Sequence, residues 1–457
     1  MDAISFGTDG WRATLETFTD RRVRIVGQAV ATYLTDMGHT APVVVGYDAR
    51  ETSEGFATSL AEVLATNGYD VILPERDRPT PLVAYAVVDR ELSGAVMITA
   101  SHNPAEYNGI KFIPDDGAPA LPAVTDAIAE RLAEPMTETG GETGSIKRVN
   151  LKRPHFDHAR ELVPADLSNV EVVYDAMHGS GRRVTSELLS EAGADITSIR
   201  EETNPTFGGS APEPNTTHLQ ELVQTVRQSD ADIGVANDGD ADRVAFVTPD
   251  RGVLDENLFF AAAYDYLLTQ ASGPAIRTVS TTFLIDQIAA DHETEVIETA
   301  VGFKWIADAM ANHDALIGGE ESGGFSIRGH IREKDGVLMA LLGSAMTATE
   351  PMDARIDRIE ATYGTIAAGK RSLDCPDSEK SRVIDELAEV LPDTVAGRDI
   401  RDIVTRDGFK LLLEDGTWLL VRPSGTEPKL RVYAEATTDT AVEALLDAGT
   451  TLVKPVI

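Results

Sequence analysis

The sequence is short of cysteine, of lysine and of long apolar runs, and each shortage excludes something. Cys375 is the only cysteine in 457 residues, so no internal disulfide forms and a reducing compartment is favoured. No apolar run approaches the ~20 residues that span a bilayer, and residues 1–12 lack the apolar stretch of a signal peptide. A cytoplasmic protein is the expectation. Of 40 basic residues only ten are lysine, at 111, 147, 152, 304, 334, 370, 380, 410, 429 and 454. Against 75 acidic residues this leaves a net charge of −35, which disfavours nucleic acid and anionic membranes as partners. Acid-rich, lysine-poor surfaces suit concentrated salt, where screening over ~3 Å at 1 M suppresses self-repulsion. An acidic but salt-indifferent protein is the plainer alternative. Two nucleotide and hydrolase signatures are also missing. No GxxxxGK[ST] loop occurs, and Thr99 and Asn103 stand where a G-x-S-x-G elbow around Ser101 would need glycine.

What is present is rhythm. The chain exceeds the usual single-domain size, and three sections alternate short apolar strands with amphipathic helices. In the first, strands are expected at 42–47, 70–74 and 94–99, with helices at 56–67 and 82–89. In the second, strands fall at 170–176, 195–199 and 231–238, with helices at 183–192 and 218–228. In the third, strands fall at 277–281, 295–299 and 315–318, with helices at 257–270, 283–291 and 304–312. This pattern predicts mainly parallel, mixed sheets covered on both faces, in three similar α/β domains. The tail differs: strands at 410–413, 418–421 and 430–436 and a helix at 440–453 predict a smaller α+β domain with antiparallel strands. Domains are expected at 1–152, 153–254, 255–365 and 366–457, with the polar, Gly-rich run at 137–145 as a connecting loop.

Polar clusters follow the last strand of each α/β section: ITASHNP (98–104), ANDGDADR (236–243) and IGGEESGG (317–324). Ligands of open α/β sheets bind at the carboxyl ends of strands, so three such clusters predict one cleft built by several domains. Asp238, Asp240 and Asp242 alternate, which aims three hard oxygens at one point and suits Mg²⁺. A solvated acidic loop is the competing reading. An EF-hand is excluded, since Arg243 and Pro249 stand where that loop needs glycine and glutamate. RPSGTEPKLR (422–431) gathers arginine forks, hydroxyls and glycine-exposed amides, an anion cradle or else a plain surface turn. Glu320, Glu321 and Ser322 sit between glycine pairs and suit sugar hydroxyls as well as they suit a hinge. FGTDGWR (6–12) ends in Arg12, which can face an anion. Ser101 beside these groups suits either a structural role or phosphoryl transfer through its own oxygen.

Taken together, FGTDGWR, TASHNP, DGDADR, GEESGG and RPSGTEPKLR, in that order, resemble the signature set of the α-D-phosphohexomutases, the phosphoglucomutase/phosphomannomutase family. The resemblance spans the chain and implies four domains around a central cleft. It implies Ser101 as the phosphorylated serine and Asp238, Asp240 and Asp242 as holders of one Mg²⁺ together with a Ser101 phosphate oxygen. Lys111, His102 and Arg12 then fall among acid–base and phosphate-contacting groups, and Arg243 matches an active-site arginine. Glu320, Ser322 and Lys304 fall with the sugar readers; Arg422, Ser424, Gly425, Thr426 and Arg431 fall with the distal phosphate site. The implied reaction interconverts hexose 1-phosphate and hexose 6-phosphate through a hexose 1,6-bisphosphate intermediate. GEESGG with VGFKW (301–305) looks like glucose-handling members that also accept mannose. Phosphoglucosamine mutase is the alternative within the family, and a phosphatase using the same serine is the alternative outside it. Partners are expected to be small sugar phosphates, with the chain a monomer or homodimer. In GHIREKDG (329–336), Arg332 replaces a family proline, which bears only on that loop's conformation.

Overall fold

The computed structural model describes residues 4–7, 10–136, 142–425 and 427–457; the expected connector at 137–145 lies outside it up to residue 141. Four sheets follow one another along the chain. The first contains β1 (Trp11–Thr14), β2 (Val43–Tyr47), β3 (Val71–Pro74), β4 (Gly94–Ile98), β5 (Tyr107–Ile113) and β6 (Ile146–Val149), in the order β1-β5-β4-β2-β3-β6. The second contains β7 (Glu171–Asp175), β8 (Asp195–Ile199), β9 (Ile233–Asn237), β10 (Val244–Thr248) and β11 (Gly252–Val253), in the order β11-β10-β9-β7-β8. The third contains β12 (Ala275–Thr278), β13 (Val296–Thr299), β14 (Ile317–Gly319) and β15 (Phe325–Ile327), in the order β13-β12-β14-β15. The fourth is antiparallel throughout: β16 (Ala367–Asp374), β17 (Thr394–Val395), β18 (Arg398–Val404), β19 (Phe409–Leu413), β20 (Trp418–Pro423) and β21 (Lys429–Ala436).

The first three sheets share one device. Their central strands run parallel and most are buried apolar segments, as in VVVGY of β2 and IGVAN of β9. The last parallel strand then returns through a short polar loop into an antiparallel neighbour: β4 into β5, β9 into β10, β14 into β15. Those loops are the polar clusters picked out above. Lys111 belongs to the return strand β5 rather than to the loop before it. One strand is shorter than expected. β12 stops at Thr278 because the Thr278 and Thr281 hydroxyls pair at 2.8 Å and turn residues 279–281 out of the ladder.

The second and third sheets share a core. Phe246 on β10 stacks on Phe259 at 4.2 Å, and Phe259 and Phe260 meet Phe325 of β15 edge-on. Through this core runs the helix Gly336–Thr349, buried from Gly336 through Thr347. Each Leu or Met it buries contributes ~2 kcal/mol of transfer free energy. Its N-cap, Asp335, accepts from the Val337 and Leu338 amides at 2.9 and 2.8 Å. The other carboxylate oxygen of Asp335 pairs with His155 Nε2 at 2.6 Å and His330 Nε2 at 2.8 Å. His158 continues the chain to His330 at 3.1 Å, and Tyr85 of the first domain stacks on His158. One carboxylate thus ties three domains at a single buried point. Burial raises the Asp335 pKa, but the two imidazoles outweigh it and hold the carboxyl well below its usual range. The third and fourth domains meet where buried Lys410 pairs with Glu298 at 3.1 Å, between the rings of Phe283 and Trp418.

Asp335→Ala removes a helix cap and strands two buried imidazoles. It is expected to cost about 2–4 kcal/mol, read as a lower first transition in a thermal melt; an unchanged melt contradicts the clamp.

Candidate active site

Ser101 is the third residue of the loop after β4 and is 1% exposed. Its backbone is left-handed, φ 50°, which an L-residue adopts only when its surroundings insist. The turn aims Oγ at Asp238, to which it donates at 2.8 Å, and sets it 3.3 Å from His102 Nδ1. Burial, reinforced by the charges of Arg243 and Arg12, pushes His102 well below the usual imidazole range, so its ring is neutral at pH 7. Arg12, on β1, donates to Asn103 Oδ1 of the same loop at 3.1 Å.

Asp238, Asp240 and Asp242 follow β9 and are all buried, with one oxygen from each inside a 4.8 Å group. Gly239 permits the approach: a Cβ there would stand 2.4 Å from the Ser101 carbonyl oxygen. Burial first, then the neighbouring charges of Asp240 and Asp242, raise Asp238 well above the carboxylate range. Cations converge in answer. Lys111 Nζ lies 3.2 Å from Asp242 and 3.5 Å from Asp240. Lys334, which the sequence reading passed over, brings its Nζ to 3.0 Å from Asp242 out of the third domain. Thr80 donates to Asp240 Oδ2 at 2.6 Å, while Asp240 Oδ1 is buried and accepts no hydrogen bond among the described residues. An orphaned carboxylate oxygen amid three hard donors fits a divalent cation of the Mg²⁺ type. Arg243 ends this loop, with its Nε 3.9 Å from Asp242.

The third loop joins the second directly, since the Val244 amide donates to the Gly323 carbonyl at 3.0 Å. Glu320 accepts from the Gly302 amide at 3.1 Å, and Ser322 lies within 3.5 Å of the same carboxylate. Burial pushes Glu320 up to about 7, with Lys334 opposing. Glu321 is held by Ser280 at 2.8 Å. Lys304 stands on the first turn of the helix Phe303–His313, its ammonium 5.7 Å from the Trp305 ring centroid. In the fourth domain Arg422 and Arg431 are directly opposed on β20 and β21, with Ser424 buried beside them. Arg422 is steadied by Asp407 at 2.9 Å, which also receives the Val301 amide of the third domain at 3.1 Å. Arg431 is paired with Glu427 and donates to Ser372 at 3.3 Å. Gly425 reaches the first domain, its carbonyl oxygen 3.5 Å from where a Gly7 Cβ would stand. Thr426 lies outside the described residues. The loops of all four domains therefore adjoin.

Besides Lys334, three supports of the serine loop escaped the sequence reading: Asp48, Arg50 and Thr99. For Asp48 and Arg50 the signal was DAR directly after β2, charged residues at the carboxyl end of a buried strand.

A buried hydroxyl, a caged acidic triad and cations drawn from several domains form a group whose chemistry suits phosphoryl transfer. The comparisons agree. Family models described as phosphoglucomutase/phosphomannomutase domains I, II, III and IV match residues 3–138, 153–252, 255–363 and 373–450. The chain belongs to the phosphoglucomutase/phosphomannomutase family, the α-D-phosphohexomutases, which are intramolecular phosphotransferases. It is 33% identical to a probable phosphoglucosamine mutase of Methanothermobacter thermautotrophicus, over 95% of this chain and 94% of that one. It is 30% identical to a phosphoglucomutase/phosphomannomutase of Thermococcus kodakarensis, over 98% of each. Among solved structures, a putative phosphomannomutase of Thermus thermophilus superposes with a TM-score of 0.87 at 30% identity, covering 99% of both chains. No helix among the described residues is long and apolar enough to cross a membrane.

Asp240→Asn withdraws the orphaned oxygen's charge. Calorimetric titration with MgCl₂ or MnCl₂ is expected to show divalent binding in the parent and a loss of at least ~10-fold in affinity in the variant; equal affinities contradict the assignment.

Proposed function

We propose that this enzyme interconverts hexose 1-phosphate and hexose 6-phosphate, with glucose favoured and mannose accepted, by way of a phosphoserine at Ser101. The observation that carries the reading is the Ser101 hydroxyl 2.8 Å from a buried carboxylate of a three-aspartate group flanked by two lysines. A hydroxyl so buried is useless to a water-borne reaction but suited to handing a group to a bound partner.

In the proposed cycle the phosphoryl group leaves Ser101 Oγ for the free hydroxyl of the sugar phosphate. The Oγ–P bond breaks, a new O–P bond forms, and the sugar hydroxyl gives up its proton to a base. Hexose 1,6-bisphosphate results and also serves as activator. After it turns over, the opposite phosphate returns to Ser101, and the sugar oxygen it leaves recovers a proton. Neutral His102 and Lys111 are the groups within reach for these transfers. Mg²⁺ held by Asp238, Asp240, Asp242 and an oxygen on Ser101 would offset the phosphoserine's charge of about −2 and polarise its phosphorus. Arg12 and Arg243 would bear on the transferring group. Glu320, Ser322 and Lys304 would read the sugar, while Arg422, Ser424, Gly425, Thr426 and Arg431 grip the distal phosphate. Arginine forks and amides contact phosphate without reading the ring, so either end of the sugar fits. The chain would work on small sugar phosphates as a monomer or homodimer, and its −35 charge with ten lysines supports activity in concentrated salt. A second sugar has its own support. Adjacent carboxylates at Glu320 and Glu321 suit an ammonium on the ring, and relatives near 33% identity carry the name probable phosphoglucosamine mutase.

Ser101→Ala is expected to abolish turnover, by more than ~10⁴-fold, while sparing sugar-phosphate binding measured by calorimetry; a variant with parental activity ends the phosphoserine scheme. Rates with glucose, mannose and glucosamine 1-phosphates and Mg²⁺ across a KCl series rank the sugars and the salt requirement. Release of inorganic phosphate in place of the 6-phosphate would make the enzyme a phosphatase. A pH profile tests Glu320. Because burial lifts its pKa from 4.5 to about 7, the folded protein keeps a proton that the unfolded chain releases, so Glu320 weakens the fold as pH climbs from 4.5 to 7. The same ionisation readies it to accept from sugar hydroxyls, so KM is expected to fall as pH rises through 7, and Glu320→Gln to flatten that dependence.

A further inference from the structure

Behind the serine loop lies a buried ion pair. Arg50 is 4% exposed, and its guanidinium spends every N–H on this loop or on Asp48. Nη2 donates to the carbonyls of Ser101 and Asn103 at 2.8 and 2.6 Å; Nη1 donates to those of Pro104 and Tyr107 at 2.6 and 3.1 Å; Nε donates to Asp48 at 3.0 Å. Asp48 also accepts from Thr99 Oγ1 at 2.7 Å, and Thr99 Oγ1 in turn accepts from the Ser101 amide at 2.8 Å. Ser101 is therefore gripped at both peptide ends by the same ion pair, its N–H through Thr99 and its C=O through Arg50. That double grip explains how a non-glycine residue stays at φ 50°. The outer face of the guanidinium is closed by Phe207, its ring centroid 5.0 Å from the guanidinium carbon. Phe207 comes from the second domain, the domain that supplies the aspartates, and it too is left-handed at φ 52°.

We infer that Arg50 is a positioning residue for phosphoryl transfer: it draws four loop carbonyls to the rear and so fixes the bearing of the Ser101 hydroxyl toward Asp238. The electrostatic result matters as much as the steric one. Carbonyl oxygens turned back onto a cation do not face the incoming phosphate, whose charge they would repel. Phe207 makes the bearing depend on docking of the second domain, so the hydroxyl is aimed only when the aspartates are in place. A lysine cannot substitute, because its three donors radiate from one point and cannot reach four carbonyls and a carboxylate in one plane. The inference rests on the mutase reading above for its catalytic meaning, while the clamp itself is a property of the loop.

The test compares the full-length parent, Arg50→Lys and Arg50→Ala. Arg50→Lys is expected to lower kcat about 100-fold with KM for the sugar phosphate within about threefold, since an ångström of misplacement costs that much in rate and the distal cradle is untouched. Millimolar guanidinium chloride is expected to restore part of the lost kcat in Arg50→Ala and none in the parent. Hydrogen exchange is expected to quicken at residues 99–107 in both variants and to stay parental in the fourth domain. Parental kcat in Arg50→Lys overturns the inference, as does a loss of kcat that guanidinium leaves unmoved while exchange at 99–107 is unchanged. Intact mass of the parent separates the two readings. A Ser101 that never carries a phosphoryl group sinks the mutase scheme, whereas the exchange data still decide the clamp.

Discussion

Three carboxylates buried within 4.8 Å of one another are the constraint on which this molecule turns. No single domain can carry them, because burying an uncompensated carboxylate costs several kcal/mol and mutual repulsion adds to it. The second domain supplies the aspartates, the first supplies Lys111, Thr80 and Ser101, and the third supplies Lys334. This cluster of charges therefore exists only where three domains are docked. That docking is reinforced by the Asp335–histidine clamp and by Asp77 paired with Arg182 at 3.1 Å. The scarcity of lysine sharpens the point. In a chain with ten, two are buried against one aspartate, which partly offsets the triad's charge inside a strongly negative protein.

Much of this was legible in the sequence. Strands such as β2, β4 and β9 are apolar runs, and the loops after β4 and β9 are conspicuously polar, so these strands and loops could be read directly. Ser101, the aspartates, Glu320 and Arg422 stood out because polar and charged side chains gather where buried strands end. Three kinds of feature were hidden. The helix Gly336–Thr349 is apolar on every side because core surrounds it, so it shows no amphipathic stripe. The return strands β5, β10 and β15 follow polar motifs closely, which left them out of the strands read from the sequence. The helix Asp20–Asp36 opens with charged residues and left no trace in a reading keyed to the strands.

Residues that act through backbone were the hardest to see. Arg50 and Lys380 have the same occupation in different domains. Lys380 donates to the carbonyls of Ser424 and Glu427 at 2.5 and 2.6 Å, as Arg50 does to those of the serine loop. Both hold the peptide oxygens of a polar loop on a buried or half-buried cation. Their partners are carbonyls, which every residue possesses, so the sequence shows the cation but not what it holds.

The helix Gly336–Thr349 follows β15 in the chain yet packs within the core that the second and third sheets share. Covalent order and spatial membership therefore disagree at this element. A recombinant fragment ending near residue 254 would leave an apolar face of its sheet bare and insoluble, and a chimaera that swapped only the second or only the third module between relatives would have to rebuild a jigsaw of Phe, Leu and Met. The two modules are a single unit of inheritance: evolution and the protein engineer alike must exchange them as a pair.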